Sequence, residues 1–533
     1  MDYNLDPSNS LREISSFADA PAQSPLSMWT LLAFIPLAIL IGLVTKGLYN
    51  VYLHPLSKIP GPFLSTFTEV VYLWYWVKGD LVSYIYDLHR QYGKTVRLAP
   101  NRLSFLDGEV WKDLHGYKTS AHKGVTVMKD PEQYGPESNG RFSLLATFDD
   151  AHHKALRKVF QPGFSDRALK AQEHIIRAHV NKLVRNVSRS VVADPEQPID
   201  FVRWFNCTTF DIIGELAFGE SLGLLDDGKM YGWVESLNES LILAPFITLA
   251  DRFPLVTKLV TMMLPERVKS SQQQSTQYAT EMVEKRLAKG KVTEKPDFWS
   301  LVLNNEDSKI LDAEDMKANA NLFMAAGSET TATTLSGLMY NLLSNPDKLE
   351  KLLQEIRSSF TTEEDLTIEN IQKLKYLGAC FDESMRMYPA TPLGPPRIVL
   401  NGGGQVNGQF VPEKTTVSIS IYSTYHSSHH FKDHDTFVPE RWMPSDPLYE
   451  KYADDRREVF QPFSYGPRNC IGKNLALHEM RLIAASLLWH FDFELCEASR
   501  GTWTNQKCYW GLWYKDPLWL KAKPIGKNAI ASA

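Results

Sequence analysis

The segment Phe463-Ser464-Tyr465-Gly466-Pro467-Arg468-Asn469-Cys470-Ile471-Gly472 holds one cysteine in a tight, glycine-flanked loop. An aromatic ring stands behind the cysteine and a fixed cation two residues before it. Gly466 permits a turn where a side chain would clash, and Gly472 lets the next helix lie close to a flat ligand. The helical pattern Asn474-Leu475-Ala476-Leu477-His478-Glu479-Met480 begins just after the cysteine. Backbone N–H groups and the helix dipole there favour a thiolate over a thiol. A thiolate held in a rigid, partly apolar loop suits axial ligation of haem iron, where its electron donation assists O–O cleavage. Without such neighbours a lone cysteine is more simply a small buried hydrophobe. Here the glycines, arginine and phenylalanine stand in register with it.

A second stretch with chemical capacity is Ala325-Ala326-Gly327-Ser328-Glu329-Thr330-Thr331-Ala332-Thr333-Thr334, inside a proline-free helical pattern from Ala313 to Asn345-Pro346. Asp312 is the expected N-cap, with Glu314 and Asp315 in the first turn. About 32 residues rising ~1.5 Å each give roughly 48 Å, enough to cross a domain. Glycine and threonine weaken a helix interior, so a purely structural helix seldom carries them. A kinked helix with a buried threonine cluster is the alternative. Small Ala326 and Gly327 let a flat cofactor and a diatomic ligand approach the backbone. Thr330 can donate a hydrogen bond, and Glu329 supplies a carboxylate for proton relay. Two helical pairs add charge. Glu383 and Arg386 face one side of a helix ending at Pro389, and His153 and Arg157 share a face of the helix expected over 149–159. His153 and Arg157 can reach one anionic group together, or stand as a solvated pair.

Phe463-x-x-Gly466-x-Arg468-x-Cys470-x-Gly472 resembles the haem-binding signature of the cytochrome P450 monooxygenases. Ala326, Gly327, Glu329, Thr330 and Thr331 resemble that family's oxygen-binding groove, and Phe437-Val438-Pro439-Glu440-Arg441-Trp442 its P-E-R-F segment. The resemblance implies haem b as cofactor, with Cys470 as its axial thiolate and metal ligand, Phe463 behind and Gly472 beside it. It implies that Arg157, Arg397 and Arg468 reach the haem propionates. His153 stands where the family usually has tryptophan, its ring N–H keeping a donor there. Glu383 and Arg386 are then expected to lock with Arg441 in a charge network that braces the cysteine loop, and Thr330 and Glu329 to deliver protons. The implied fold is mainly α with small β-sheets, an α-rich lobe plus a smaller β-rich lobe, behind one N-terminal transmembrane helix. The implied reaction activates O2 reductively and hydroxylates or epoxidises an apolar small molecule. An O2-independent isomerase or dehydratase, and a non-catalytic haem carrier or sensor, have less need of the Glu329-Thr330 pair. The hinge stretch from Tyr52 to Pro62 and His153 are similar to fungal secondary-metabolism members, among them the trichothecene C-15 hydroxylase group. Such enzymes oxidise terpenoid, polyketide or alkaloid scaffolds.

The remaining sequence bounds partners and position. No G-x-G-x-x-G fingerprint opens a βαβ unit, so electrons are expected from an NADPH-cytochrome P450 reductase, with cytochrome b5 as a further donor. Lys154, Lys158 and Lys473 offer such a partner a basic face. A net charge of −5 argues against nucleic acid, and five scattered cysteines argue against a disulfide scaffold. Residues 1–27 read as a polar, disordered tail and 28–48 as a transmembrane anchor. Residues 49–62 read as a proline-rich hinge, 63–525 as the haem domain and 526–533 as a C-terminal tail. Lys46 and Lys58 follow the charge-free run from Met28 to Val44, whereas only Arg12 precedes it. This bias places the large C-terminal part in the cytosol, and the resemblance implies a single-pass protein of the endoplasmic reticulum membrane. A helix is expected over 82–93, with strands over 95–98, 102–106 and 416–422. A surface loop is expected over 118–146, and amphipathic helices over most of 165–295, including an apolar patch over 241–255 where the family's membrane-facing helices lie. Aromatic residues over 507–513 suit an apolar substrate.

Overall fold

The computed structural model describes residues 28–118, 125–137, 139–230, 234, 242–246, 248, 277, 280–290, 298–303, 311–501 and 503–526. The expected tails (1–27 and all but Gly526 of 526–533) and most of the patch over 241–255 lie outside these residues. The described residues are helix-rich with four small sheets. Its strands are β1 (Thr95–Ala99), β2 (Arg102–Phe105), β3 (Val127–Lys129), β4 (Ile199–Asp200), β5 (Arg397–Val399) and β6 (Gly404–Val406), followed by β7 (Gln409–Val411), β8 (Thr416–Ile419), β9 (Phe491–Leu495), β10 (Lys507–Tyr509), β11 (Leu512–Tyr514) and β12 (Trp519–Pro524). The largest sheet has the order β1-β2-β8-β5-β3, with β2 and β8 parallel and the other pairs antiparallel.

Two expectations change here. The stretch read as a surface loop contains β3, whose Lys129 pairs in register with Arg397 of β5. Three residues carry no usable periodicity; partner strand, not pattern, makes this segment extended. The strand expected over 416–422 stops at Ile419, because Ile421–Tyr425 turns helical and the Tyr422 N–H bonds the Pro392 carbonyl at 2.9 Å.

The long helix Ala313–Leu343 runs unbroken through the core, capped reciprocally by Asp312 and Asp315. Its polar centre survives because Ser328, Thr330, Thr331, Thr333, Thr334 and Ser336 each donate to the carbonyl four residues back. It packs along the helix Phe201–Phe218. A side chain at Gly327 would come within 3.2 Å of Ile213 there. Phe160, Phe164, Phe298 and Phe323 pack mainly edge to face and seat the helix Asp150–Phe160 near the long helix. Burying each such ring contributes about 1.5–3 kcal/mol.

The first helix, Met28–Tyr52, continues past residue 48. From Phe34 to Tyr52 it is long and apolar enough to cross a membrane and only 11% buried, unlike a core helix. Its end is fastened to the domain. Asn50 Nδ2 donates to the Phe67 carbonyl at 3.1 Å, and buried Arg97 donates to the Asn50 carbonyl at 2.9 Å.

Candidate active site

Cys470 is the exposed cysteine among the described residues, whereas Cys207, Cys380 and Cys508 are buried. Its loop is closed by the Cys470 N–H donating to the Phe463 carbonyl at 2.9 Å, and Lys473 lies over the Phe463 ring. Gly466 adopts φ +75°, and a Cβ there would stand 1.8 Å from the His115 carbonyl oxygen, so only glycine fits. At Gly472 a Cβ would meet nothing nearer than Cys470 Sγ at 3.9 Å. No protein atom demands glycine at that position. Although Sγ is accessible, the protein massed around the loop pushes the thiol above its ordinary pKa. The Gly472 N–H and the Arg157 and Lys473 charges pull the other way. The expected thiolate-favouring helix terminus is thus present but outweighed by desolvation.

The charge network expected around Glu383 forms: Glu383 accepts from Arg386 Nε at 2.9 Å and Nη2 at 2.8 Å, from Arg441 Nε at 3.1 Å, from the Val438 N–H at 2.9 Å and from Trp442 Nε1 at 2.9 Å. Arg441 also pairs with Asp455, a member that sequence reasoning missed. Burial alone would raise the Glu383 pKa, yet the two guanidiniums and the Val438 N–H bring it below the usual value. The loop itself is gripped by Arg157, whose two terminal nitrogens donate to the Asn469 carbonyl at 2.8 Å and to Asn469 Oδ1 at 2.7 Å. Arg468 donates to Asp150 at 2.7 Å and to the Thr147 carbonyl at 2.9 Å, tying the loop to the start of the same helix.

Near Arg468 lies a cluster of cationic side chains. Lys129 and Arg397 are buried, and among the described residues neither meets a carboxylate. Lys129 donates to the Leu145 carbonyl, while Arg397 donates to Pro396 O at 3.4 Å and to His115 Nδ1 at 3.3 Å. Burial and then the Arg397 and Arg468 charges push Lys129 well below its ordinary pKa. Burial holds Arg397 down to about 10. His153 is lowered to about 3 by burial and then by Arg468, Lys129 and Arg157. Among the described residues the buried His115 Nε2 has no hydrogen-bond partner. Lys129 and His115 were invisible in the sequence: one lies in an aperiodic stretch, the other at the end of the short helix Glu109–His115.

On the long helix, Ala326 is exposed and the Thr330 hydroxyl donates to its carbonyl at 2.8 Å. Gly327 also makes room for Ile213, since a Cβ there would come within 3.2 Å of it. Glu329 is buried and pairs with Lys515, a residue that no sequence signal marked.

The family model for cytochrome P450 matches residues 60–510. The chain belongs to the cytochrome P450 family. Over 484 residues this P450 is 41% identical to cytochrome P450 monooxygenase AMT3 of Alternaria alternata, covering 91% of this chain and 97% of that one. It is 40% identical to cytochrome P450 monooxygenase FUM2 of Gibberella moniliformis, over 89% of this chain and 99% of that protein. It is also 38% identical to averantin hydroxylase of Dothistroma septosporum, over 91% and 90% of the two chains. The enzyme is therefore an oxidoreductase, a monooxygenase of the kind found in fungal secondary metabolism, and its family uses haem bound through a cysteine thiolate. The residues of this P450 fit that group. A buried set of uncompensated cations and an orphaned imidazole nitrogen match a ligand carrying two carboxylates. A glycine demanded by no protein atom stands beside an accessible sulfur.

Proposed function

We propose that Cys470 is the axial iron ligand of a monooxygenase that hydroxylates or epoxidises an apolar small molecule in fungal secondary metabolism. The observation that carries it is the Cys470 loop, seated by Gly466 and gripped by Arg157 and Arg468. When bound, haem supplies reductive O2 activation: one oxygen atom enters the substrate and the other leaves as water, with two electrons and two protons consumed. This chain's residues do the rest. Lys129, Arg397 and His115 hold one side of the propionate region, with Arg468 and His153 beside them. Arg157 acts on the loop through Asn469. Thr330 presents a hydroxyl on the exposed face of the long helix, and Glu329 next to it moves protons. An averantin hydroxylase among the relatives supports hydroxylation as the reaction.

The electrons are supplied by an NADPH-dependent cytochrome P450 reductase. Exposed Lys154, Lys158 and Lys473, the last beside the cysteine loop, suit its docking. The apolar first helix supports anchoring in the endoplasmic reticulum with the catalytic domain in the cytosol. The test is spectroscopic. The reduced CO complex of the purified protein should show the strongly red-shifted Soret band of a thiolate-ligated haem, and Cys470→Ala should abolish it. A globin-like spectrum in the wild type would refute the assignment.

A further inference from the structure

Lys515 directly follows β11, and its side chain is only 3% exposed. Its ammonium contacts Glu329 Oε1 and donates to Thr333 Oγ1 at 2.9 Å. Glu329 and Thr333 are one helical turn apart and share a face. Thr330 lies about 100° further round the helix, with its hydroxyl bonded to Ala326 O. The carboxylate is therefore turned towards the C-terminal hairpin and away from Thr330. The hairpin is itself firmly placed. Trp513 Nε1 donates to the Pro389 carbonyl at 2.8 Å, and its ring stacks on Tyr388 at 5.2 Å. On the other flank, Asp516 receives Trp503 Nε1 on its carbonyl at 2.9 Å and donates its N–H to Gln506 at 3.1 Å. Lys515 is thus a cation fixed between two anchored neighbours. Removing either member of such a buried pair leaves the other uncompensated.

We infer that Lys515 is a positioning residue for proton delivery: it sets where the Glu329 carboxylate rests and couples that position to the β10–β11 hairpin. The inference rests on the reading of Glu329 as the proton carrier for Thr330. One O2 that takes two electrons from one NADPH and two protons leaves as hydrogen peroxide. One that takes four electrons from two NADPH and four protons leaves as two waters. Misplaced proton delivery changes this partition, so peroxide released per NADPH reads it without a known substrate.

The experiment uses the haem-loaded, full-length protein with NADPH-cytochrome P450 reductase, in H2O and in D2O. Lys515→Met should change the peroxide share, or the solvent isotope effect on NADPH oxidation, by about three-fold or more, as expected for directly coupled residues. The reduced-CO spectrum should stay unchanged, and Lys515→Arg should restore wild-type values. In a Glu329→Gln background the same Lys515→Met change should add nothing further. The thermal midpoints of the four haem-loaded proteins should also be non-additive, which reads the pair independently of turnover. If Lys515→Met fails to hold haem, Lys515→Gln replaces it, and loss of haem in Lys515→Arg as well would overturn the inference in favour of a structural role. Unchanged peroxide share and isotope effect in Lys515→Met, with both altered in Glu329→Gln, would overturn the role of Lys515 alone. No effect of Glu329→Gln would overturn the proton-carrier reading beneath it.

Discussion

Two buried clusters of charge differ in whether they are complete. In the first, the carboxylates of Glu383 and Asp455 face the guanidiniums of Arg386 and Arg441, two against two, and backbone carbonyls of Tyr425 and Thr436 take further N–H bonds of Arg386. In the second, Lys129, Arg397, His115 and His153 crowd one another, and burial and mutual repulsion push them towards their neutral forms. A buried charge set is tolerable when each member is paired. The first cluster therefore belongs to the fold, whereas Lys129 and Arg397 of the second meet no carboxylate among the described residues, as suits the propionate-holding role proposed for them.

The largest effect that could break this contrast is Glu383→Gln. Neutralising the centre of the complete network leaves two buried guanidiniums short of charge, about 3–5 kcal/mol by analogy with broken buried pairs. Haem incorporation, read from the haem-to-protein ratio, should be lost and not merely slowed. Full haem content in this variant would show that the network does not position the cysteine loop. A smaller effect comes from protons. His426, buried beside the same network, is lowered from 6.5 to about 4 by burial and then by Arg386. The unfolded chain therefore binds its proton first as pH falls. The stability from the neutral imidazole is full above pH 6.5 and is lost as pH falls towards about 4, a loss of up to ~3 kcal/mol. Denaturant midpoints measured across this range should fall for the wild type and flatten in His426→Gln; parallel slopes would contradict the linkage. Smaller again, Arg397→Met removes one donor from the incomplete cluster. Haem transfer from the holoprotein to excess apomyoglobin should quicken about 10- to 100-fold, the equivalent of ~1.5–3 kcal/mol for one charged hydrogen bond. An unchanged transfer rate would move Arg397 from the propionate-holding side of the comparison to the fold's.

Sequence legibility followed the same division. The cysteine loop could be read because its constraints are local: a turn at Gly466, a cation at Arg468 and a helix starting after Gly472. Glu383, Arg386 and Arg441 could be read through their resemblance to a family pattern. The capped helix around Thr330 could be read from its N-terminal acids and terminal proline. Contacts created only by tertiary pairing could not. Lys129 meets Arg397 because β3 joins β5, and nothing in three residues announces that strand. Lys515 reaches Glu329 across nearly two hundred positions. Arg157 was correctly placed on a helical face, but its partner is Asn469, whose amide carries no charge pattern to search for. Gly327 was legible as glycine, yet which neighbour needed the space depended on how two helices crossed.

His115 joins the second cluster to the cysteine loop, with its carbonyl against Gly466 and its imidazole against Arg397. Nearby, Trp111 Nε1 bonds the Val459 carbonyl at 3.2 Å, a contact spanning 348 positions. Contacts of such separation close late, because the chain's ordering entropy must be met before they reward it. The seat of the cysteine loop is therefore made in part by residues hundreds of positions earlier in the chain, so a truncated or half-folded chain would carry the sulfur without its seat.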